Sequence, residues 1–338
     1  MTNPQHLITR IGHWLLVFLP LLASCSLRGG LAAESTATPL PASPTSSATR
    51  PPAPSPTATL AQPTATPAPT STLAPLFAPV DPTASPAGPP PAHFLLVGRP
   101  VPPHASLSVV ASYRYGSTNE RRYDTHHGVE FANPANTQLL AVAPGTVLWA
   151  GDDLAAAYGP SPNFYGFLVV LQLDETWQGH AVYALYGHML AVAVAPGQAV
   201  ETGDLVGYVG QSGVALGPHL HLEVRLDNPM DYDSTRNPEL WLRPLPGTGL
   251  LAGRVLDSRG RPVRDARVNI ACEDGKRRFA DTYHDDTVTP DDVFQENFAI
   301  GDVPVGECEL SVAFVGGTVK EPALVNEGEL TLVEFIEP

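Results

Sequence analysis

The chain has 338 residues, 37 of them proline, and 34 acidic against 19 basic residues set a formal net charge of -15. That length allows two domains of about one to two hundred residues each. So large an acidic excess, with Lys276 and Lys320 as the only lysines, excludes a nucleic-acid binder that works by neutralising phosphates.

Residues 1–25 read as a targeting segment. Arg10 is the positive flank, and the apolar run Trp14–Ala23 is about half the roughly twenty residues that a bilayer-spanning helix needs. It is therefore a signal sequence and not a resident membrane helix. The segment ends Leu22-Ala23-Ser24-Cys25, which resembles the lipobox of bacterial lipoproteins. The resemblance implies that Cys25 carries a diacylglyceryl group and becomes the mature N-terminus. The other reading is an ordinary signal-peptidase cut that leaves Cys25 incidental. Either route exports the protein, and the first holds it by lipid at the outer face of the cytoplasmic membrane or in the cell envelope.

Residues 26–92 are rich in Pro, Thr, Ser and Ala, and between Leu31 and Pro91 the charges are Glu34, Arg50 and Asp81. So few large apolar side chains cannot offset the entropy of ordering, so the segment reads as a disordered tether. At about 3.1 Å per residue where extended, it reaches on the order of 100 Å from its anchor.

From 93 to 245, short apolar runs alternate with glycine-containing turns: Val147–Ala150, Gly166–Leu173, Ala181–Tyr186, Leu205–Val209 and His219–Val224. Runs this short, rich in Val, Leu and Tyr and without helical period, predict an all-β domain. The stretches Ala143–Val147 and Ala195–Val206 resemble the half-motifs of biotinyl and lipoyl domains. Both lack the lysine that such a carrier needs, which removes the carrier function and leaves the sheet.

Residues 246–338 continue as strands around Leu250–Val263, Ala266–Ile270, Asn297–Ile300 and Cys308–Phe314, with Gly260 and Gly306 in turns. Their spacing predicts a small Ig-like β-sandwich, and the pattern is similar to carboxypeptidase-regulatory-like domains. With Cys25 assigned to lipid, Cys272 and Cys308 remain, an even pair that suggests one disulfide in an oxidising compartment; two separately buried thiols are the alternative. The acidic loop Asp281–Asp292 reads as a solvated loop, with calcium binding as the sharper option.

The chemistry concentrates in three stretches of the first domain: His126-His127-Gly-Val-Glu130, Tyr186-Gly-His188-Met, and Gly217-Pro-His219-Leu-His221-Leu-Glu223-Val224. On a strand, alternate residues share a face, so His219 and His221 lie together about 7 Å apart while Leu220 and Leu222 face the core. The same parity joins His126 to Glu130. Two imidazoles and a carboxylate are a standard catalytic zinc shell whose fourth position is left to water.

These three motifs, with the intervening Gly-Thr-Val and Gly-Gln-x-Val turns, resemble the lysostaphin-like (LytM-type) zinc metalloendopeptidases, which cut the peptides of peptidoglycan. The resemblance covers roughly His93 to Pro244. It implies Zn2+ bound by His126, Glu130 and His221. It also implies that His188 and His219 orient or deprotonate the attacking water and stabilise the oxyanion. The family's carboxylate is normally Asp, whereas this chain has Glu130. A longer arm is compatible with zinc ligation. It is also the feature that would suit a degenerate envelope scaffold, one that binds and activates another wall hydrolase. An envelope protein partner for the C-terminal domain belongs to the same set of expectations. In another frame, His127-Gly-Val-Glu130 matches the zinc signature of metallocarboxypeptidases, but those enzymes need helices that this pattern lacks.

Tyr113, Tyr115, Arg121 and Arg122 are candidates for a peptide groove. His127 reads as a surface or supporting histidine, Asn163, Tyr165 and Gly166 read as structural, and His93, His104, His180 and His284 have no partner motif.

Overall fold

The computed structural model describes residues 93–338, so Cys25 and the tether lie outside the described residues. Sixteen strands follow in chain order. The first nine are β1 Val129–Phe131, β2 Gln138–Leu140, β3 Gly145–Asp152, β4 Phe167–Leu173, β5 Val182–Val192, β6 Ala199–Val200, β7 Leu205–Val209, β8 Leu220–Leu226 and β9 Thr235–Arg236. The remainder are β10 Thr248–Leu256, β11 Arg267–Cys272, β12 Arg277–Asp281, β13 Phe298–Pro304, β14 Gly306–Phe314, β15 Gly317–Val325 and β16 Leu330–Ile336. Two single 3-10 turns, Tyr232–Ser234 and Pro238–Leu240, are the only helical elements among the described residues.

The first nine strands form one antiparallel sheet with the order β1-β8-β5-β4-β3-β6; β7 joins β2 to β5, and β9 borders β8. Its central strands are buried on both faces: every residue of β8 is buried, as are Val182–Met189 in β5. That is why their sequences run apolar almost without interruption, and why the polar residues they do carry need partners inside the protein.

The later strands form a three-stranded sheet, β13-β10-β16, and a four-stranded sheet, β12-β11-β14-β15. Both contribute to one core that includes Leu251, Val255, Phe298 and Phe335 from the first and Val268, Ile270, Leu310 and Val312 from the second. Cys272 and Cys308 are register partners on β11 and β14, and their sulfurs are joined in a disulfide.

The two regions meet through a shared core. Leu250, Ala252, Tyr283, Val288, Phe294 and Ala299 belong to the same apolar cluster as Val129, Phe131, Leu220, Leu222 and Trp241. Buried polar ties reinforce it. Arg114 Nη1 donates to Glu239 Oε1 at 2.5 Å, and the other oxygen of Glu239 accepts Gly301 N at 2.7 Å. His93, left without a role by its sequence context, bonds Asp291 across the junction at 2.6 Å and sits among Trp177, Trp241 and Phe294. The acidic loop is thus only partly solvated: Asp286 and Asp292 are exposed, whereas Tyr283, Val288 and Asp291 are buried. Among the described residues, the group placed to hold a metal is elsewhere.

Candidate metal centre

β1 and β8 pair so that Glu130 lies directly opposite His221. Short antiparallel pairing therefore places one carboxylate and one imidazole on neighbouring strands, and the turn before β1 brings in His126. Gly128 makes the close approach possible: a Cβ there would lie 2.6 Å from Leu222 O and 2.7 Å from His221 Nε2.

Ligand atoms of His126, Glu130 and His221 all lie within 4.8 Å of one another. His126 Nε2 is 3.1 Å from His221 Nδ1 and 3.6 Å from Glu130 Oε1. Donors about 2.0–2.1 Å from a tetrahedral zinc are about 3.4 Å apart, so the two separations made by His126 bracket the required value. The longer arm of Glu130 still brings a carboxylate oxygen within 4.8 Å of both imidazole ligand atoms. These three side chains form a His–Glu–His metal site.

Protonation agrees with that use. Burial, then neighbouring His221, pushes the His126 imidazole well below its ordinary range, which holds it in the neutral, ligating form. His221 Nε2 lies 2.9 Å from Glu223 Oε1 and must donate to it, because an ionised carboxylate only accepts. Nδ1 of His221 is left as a bare lone pair facing His126.

Glu223 is itself fixed. Burial opposes its ionisation, but Arg225 and His221 outweigh that and hold its carboxyl well below the usual carboxylate range. Arg225 Nε donates to Glu223 Oε2 at 2.7 Å, Arg225 Nη2 donates to Tyr165 Oη at 3.0 Å, and Tyr165 Oη bonds Glu223 Oε1. All three side chains are fully buried. Tyr165, read from sequence as structural, and Glu223 and Arg225, given no role there, are therefore part of the site. Strand parity was the available signal, since it sets Glu223 and Arg225 on the face of His221.

His188 and His219 sit beside this group, their ring centroids 4.9 Å apart, with His188 5.7 Å from His221. His188 Nδ1 is 2.9 Å from Ser212 O and His219 Nδ1 is 2.8 Å from Gly217 O. A carbonyl can only accept, so Nδ1 carries the proton in both rings and Nε2 of each is free to take one. Burial, then His221 and His219, lowers His188 to about 3. His188 also adopts φ 58, a left-handed conformation inside β5, at a register shift where its N–H bonds Tyr165 O at 2.9 Å. Such a bulge re-aims a side chain that a regular strand would direct elsewhere.

The site opens into a cleft of about 1080 Å³. One side carries Pro160, Phe164, Val214 and Leu216, its two loops tied by Val214 N to Phe164 O at 2.8 Å. Val214 and Leu216 are 65% and 85% exposed, an apolar lip. Another side carries Tyr113, Arg121, Arg122 and Asp124, and Tyr113 stacks on His126 at 3.9 Å. Tyr115, expected in this groove, is instead buried, with its hydroxyl bonded to Thr235 O at 3.0 Å. His127 is buried too, stacked on Tyr232. His284, Asp285 and Thr287 of the C-terminal region line the same cleft, although His284 had no partner in sequence.

Residues 124–233 match the model of peptidase family M23. This segment is an M23 peptidase domain. Over 102 residues, the chain is 31% identical to the DD-carboxypeptidase/endopeptidase Mpg of Neisseria meningitidis serogroup B, covering 30% of this chain and 20% of that protein. Over 104 residues, it is 30% identical to the peptidoglycan DD-endopeptidase ShyA of Vibrio cholerae serotype O1, covering 31% and 21%. The chain thus spans about a fifth of the length of these relatives. A catalytic-domain mutant of the prophage-encoded M23 protein EnpA from Enterococcus faecalis superposes with a TM-score of 0.32 at 29% identity, covering 39% of this chain and 89% of that one.

Proposed function

We propose that this protein is a zinc metalloendopeptidase that hydrolyses peptide cross-links of peptidoglycan. The observation that carries the reading is the convergence of His126 Nε2, Glu130 Oε1 and His221 Nδ1 at separations suited to one tetrahedral cation. His126, Glu130 and His221 are the metal ligands, and His188 and His219 are the catalytic histidines. Zinc held by these three residues would supply Lewis acidity, polarising a carbonyl and lowering the pKa of water toward neutrality.

The residues do the rest. His188 presents its free Nε2 beside the ligand cluster, and from there it accepts the proton of the attacking water and returns it to the leaving amine. His219 Nε2 lies 3.4 Å from Glu130 Oε1, beside the reacting centre, which sets its ring to stabilise the developing oxyanion. The alternative is a degenerate scaffold that activates another hydrolase; the grouping of His126, Glu130 and His221 as possible metal ligands supports the enzyme reading over it.

The C-terminal sheets are an Ig-like, carboxypeptidase-regulatory-like β-sandwich, and residues 93–245 and 246–338 are the two sequence domains. Cys25 carries the lipid anchor.

Purified protein should release cross-link-cleaved muropeptides from peptidoglycan, lose that activity on chelation and regain it with one equivalent of zinc. Turnover that survives chelation, or that survives His221→Ala, overturns the enzyme reading. Anchoring is tested by membrane association of the full chain, which Cys25→Ala should abolish.

A further inference from the structure

The connection between β12 and β13, residues Thr282–Asn297, leaves the C-terminal sheets and embeds in the peptidase region. Tyr283, Val288 and Phe294 are 5%, 2% and 6% exposed within the shared core. The ring of Tyr283 lies against Gly116, where a Cβ would come within 2.3 Å of it. Gly116, at φ +75, relays this contact. Its carbonyl accepts His284 N at 2.8 Å, and its own N–H donates to His126 O at 2.7 Å. Thr125, the residue before the first imidazole, donates its hydroxyl to Asp285 Oδ2 at 2.7 Å. The other oxygen of Asp285 is occupied by Thr287 N at 3.0 Å and Thr287 Oγ1 at 2.5 Å.

The segment Thr125–His126 precedes β1 and lies outside the regular ladder, so little of its orientation comes from strand pairing. It is held by Ser117 O, which accepts His126 N at 3.0 Å, and by these contacts from about 160 residues later in the chain. We propose that the C-terminal domain is a working part of the metal centre. Through Asp285, acting as a positioning residue on Thr125, it fixes the loop that presents His126, and through His284 to Thr287 it lines the cleft. This inference rests on the zinc-site reading above.

The test measures zinc affinity by chelator competition, and the cobalt absorption spectrum, for the full chain and for Asp285→Ala, Thr125→Val, the double variant and Thr125→Ser. Residues that hold a metal ligand through a hydrogen bond typically change metal affinity by about 10-fold or more when removed. Asp285→Ala and Thr125→Val should each weaken zinc by about 10-fold and alter the cobalt spectrum. The double variant should be no worse than either single, and Thr125→Ser, which keeps the hydroxyl, should restore both readouts. Unchanged affinity and spectrum in Asp285→Ala, or losses that simply multiply in the double variant, overturn the inference while leaving the zinc site standing. A wild-type chain that binds no zinc overturns both.

Discussion

Glu223 Oε1 lies 2.9 Å from His221 Nε2 and also accepts the Tyr165 hydroxyl, while Arg225 Nε donates to the other oxygen, Oε2, at 2.7 Å. The metal-facing nitrogen of His221 is therefore set by a carboxylate two residues along the same strand. Glu223→Gln keeps the shape but makes the partner neutral and able to present an N–H to the ring. We expect zinc affinity to fall about 10- to 100-fold in chelator competition. Glu223→Ala should in addition cost several kcal/mol in denaturant unfolding, because it strands buried Arg225.

Glu130 tests how much the ligand arm length matters. Its carboxylate is placed by pairing opposite His221 and already meets the required separation, so Glu130→Asp withdraws the oxygen instead of improving it. Metal-dependent hydrolysis should fall at least about 10-fold in Glu130→Asp and be abolished in Glu130→Ala, with stoichiometric zinc content lost in the latter. Higher turnover in the aspartate variant would show that the longer arm impairs the site.

Gly128→Ala should be disabling for a purely steric reason. Backbone at Leu222 O cannot retreat from a Cβ at 2.6 Å without parting β1 from β8. A loss of about 1–3 kcal/mol in stability is expected, the usual cost of overpacking a tight site, together with weakened zinc binding.

Glu296 links stability to pH. Burial raises its carboxyl to about 8, with Tyr283 and Asp291 as its neighbours, against an ordinary value of 4.5. The folded chain therefore retains a proton that the unfolded chain releases. This contribution is complete below about pH 4.5 and is lost as pH rises through about 8. The thermal midpoint of the wild type should fall across that window, and Glu296→Gln should flatten the fall.

Much of the site was legible because its parts are local. The His219/His221 pair follows from strand alternation, and the turns before β3 and β7 announce themselves by glycine. What escaped is long-range. Glu223 and Arg225 shared the parity of His221, but a charged pair in a strand reads equally as a solvent face, and only burial of both faces of β8 turns them inward. Tyr165 meets Glu223 across 58 residues, and Thr125 meets Asp285 across 160, with no periodicity to connect them. The loop Asp281–Asp292 looked solvated because its acids outnumber its apolar residues. Tyr283, Val288 and Phe294 nevertheless decide where the segment goes.

The common core on either side of Pro246 bears on when the metal centre is completed as the polypeptide is made. Val129 and Leu220 are synthesised well before Phe294 and Ala299, yet all four close the same apolar interior. A nascent chain halted near Pro246 has its scissors drawn but not riveted. Closure of that interior waits for the last hundred or so residues to arrive.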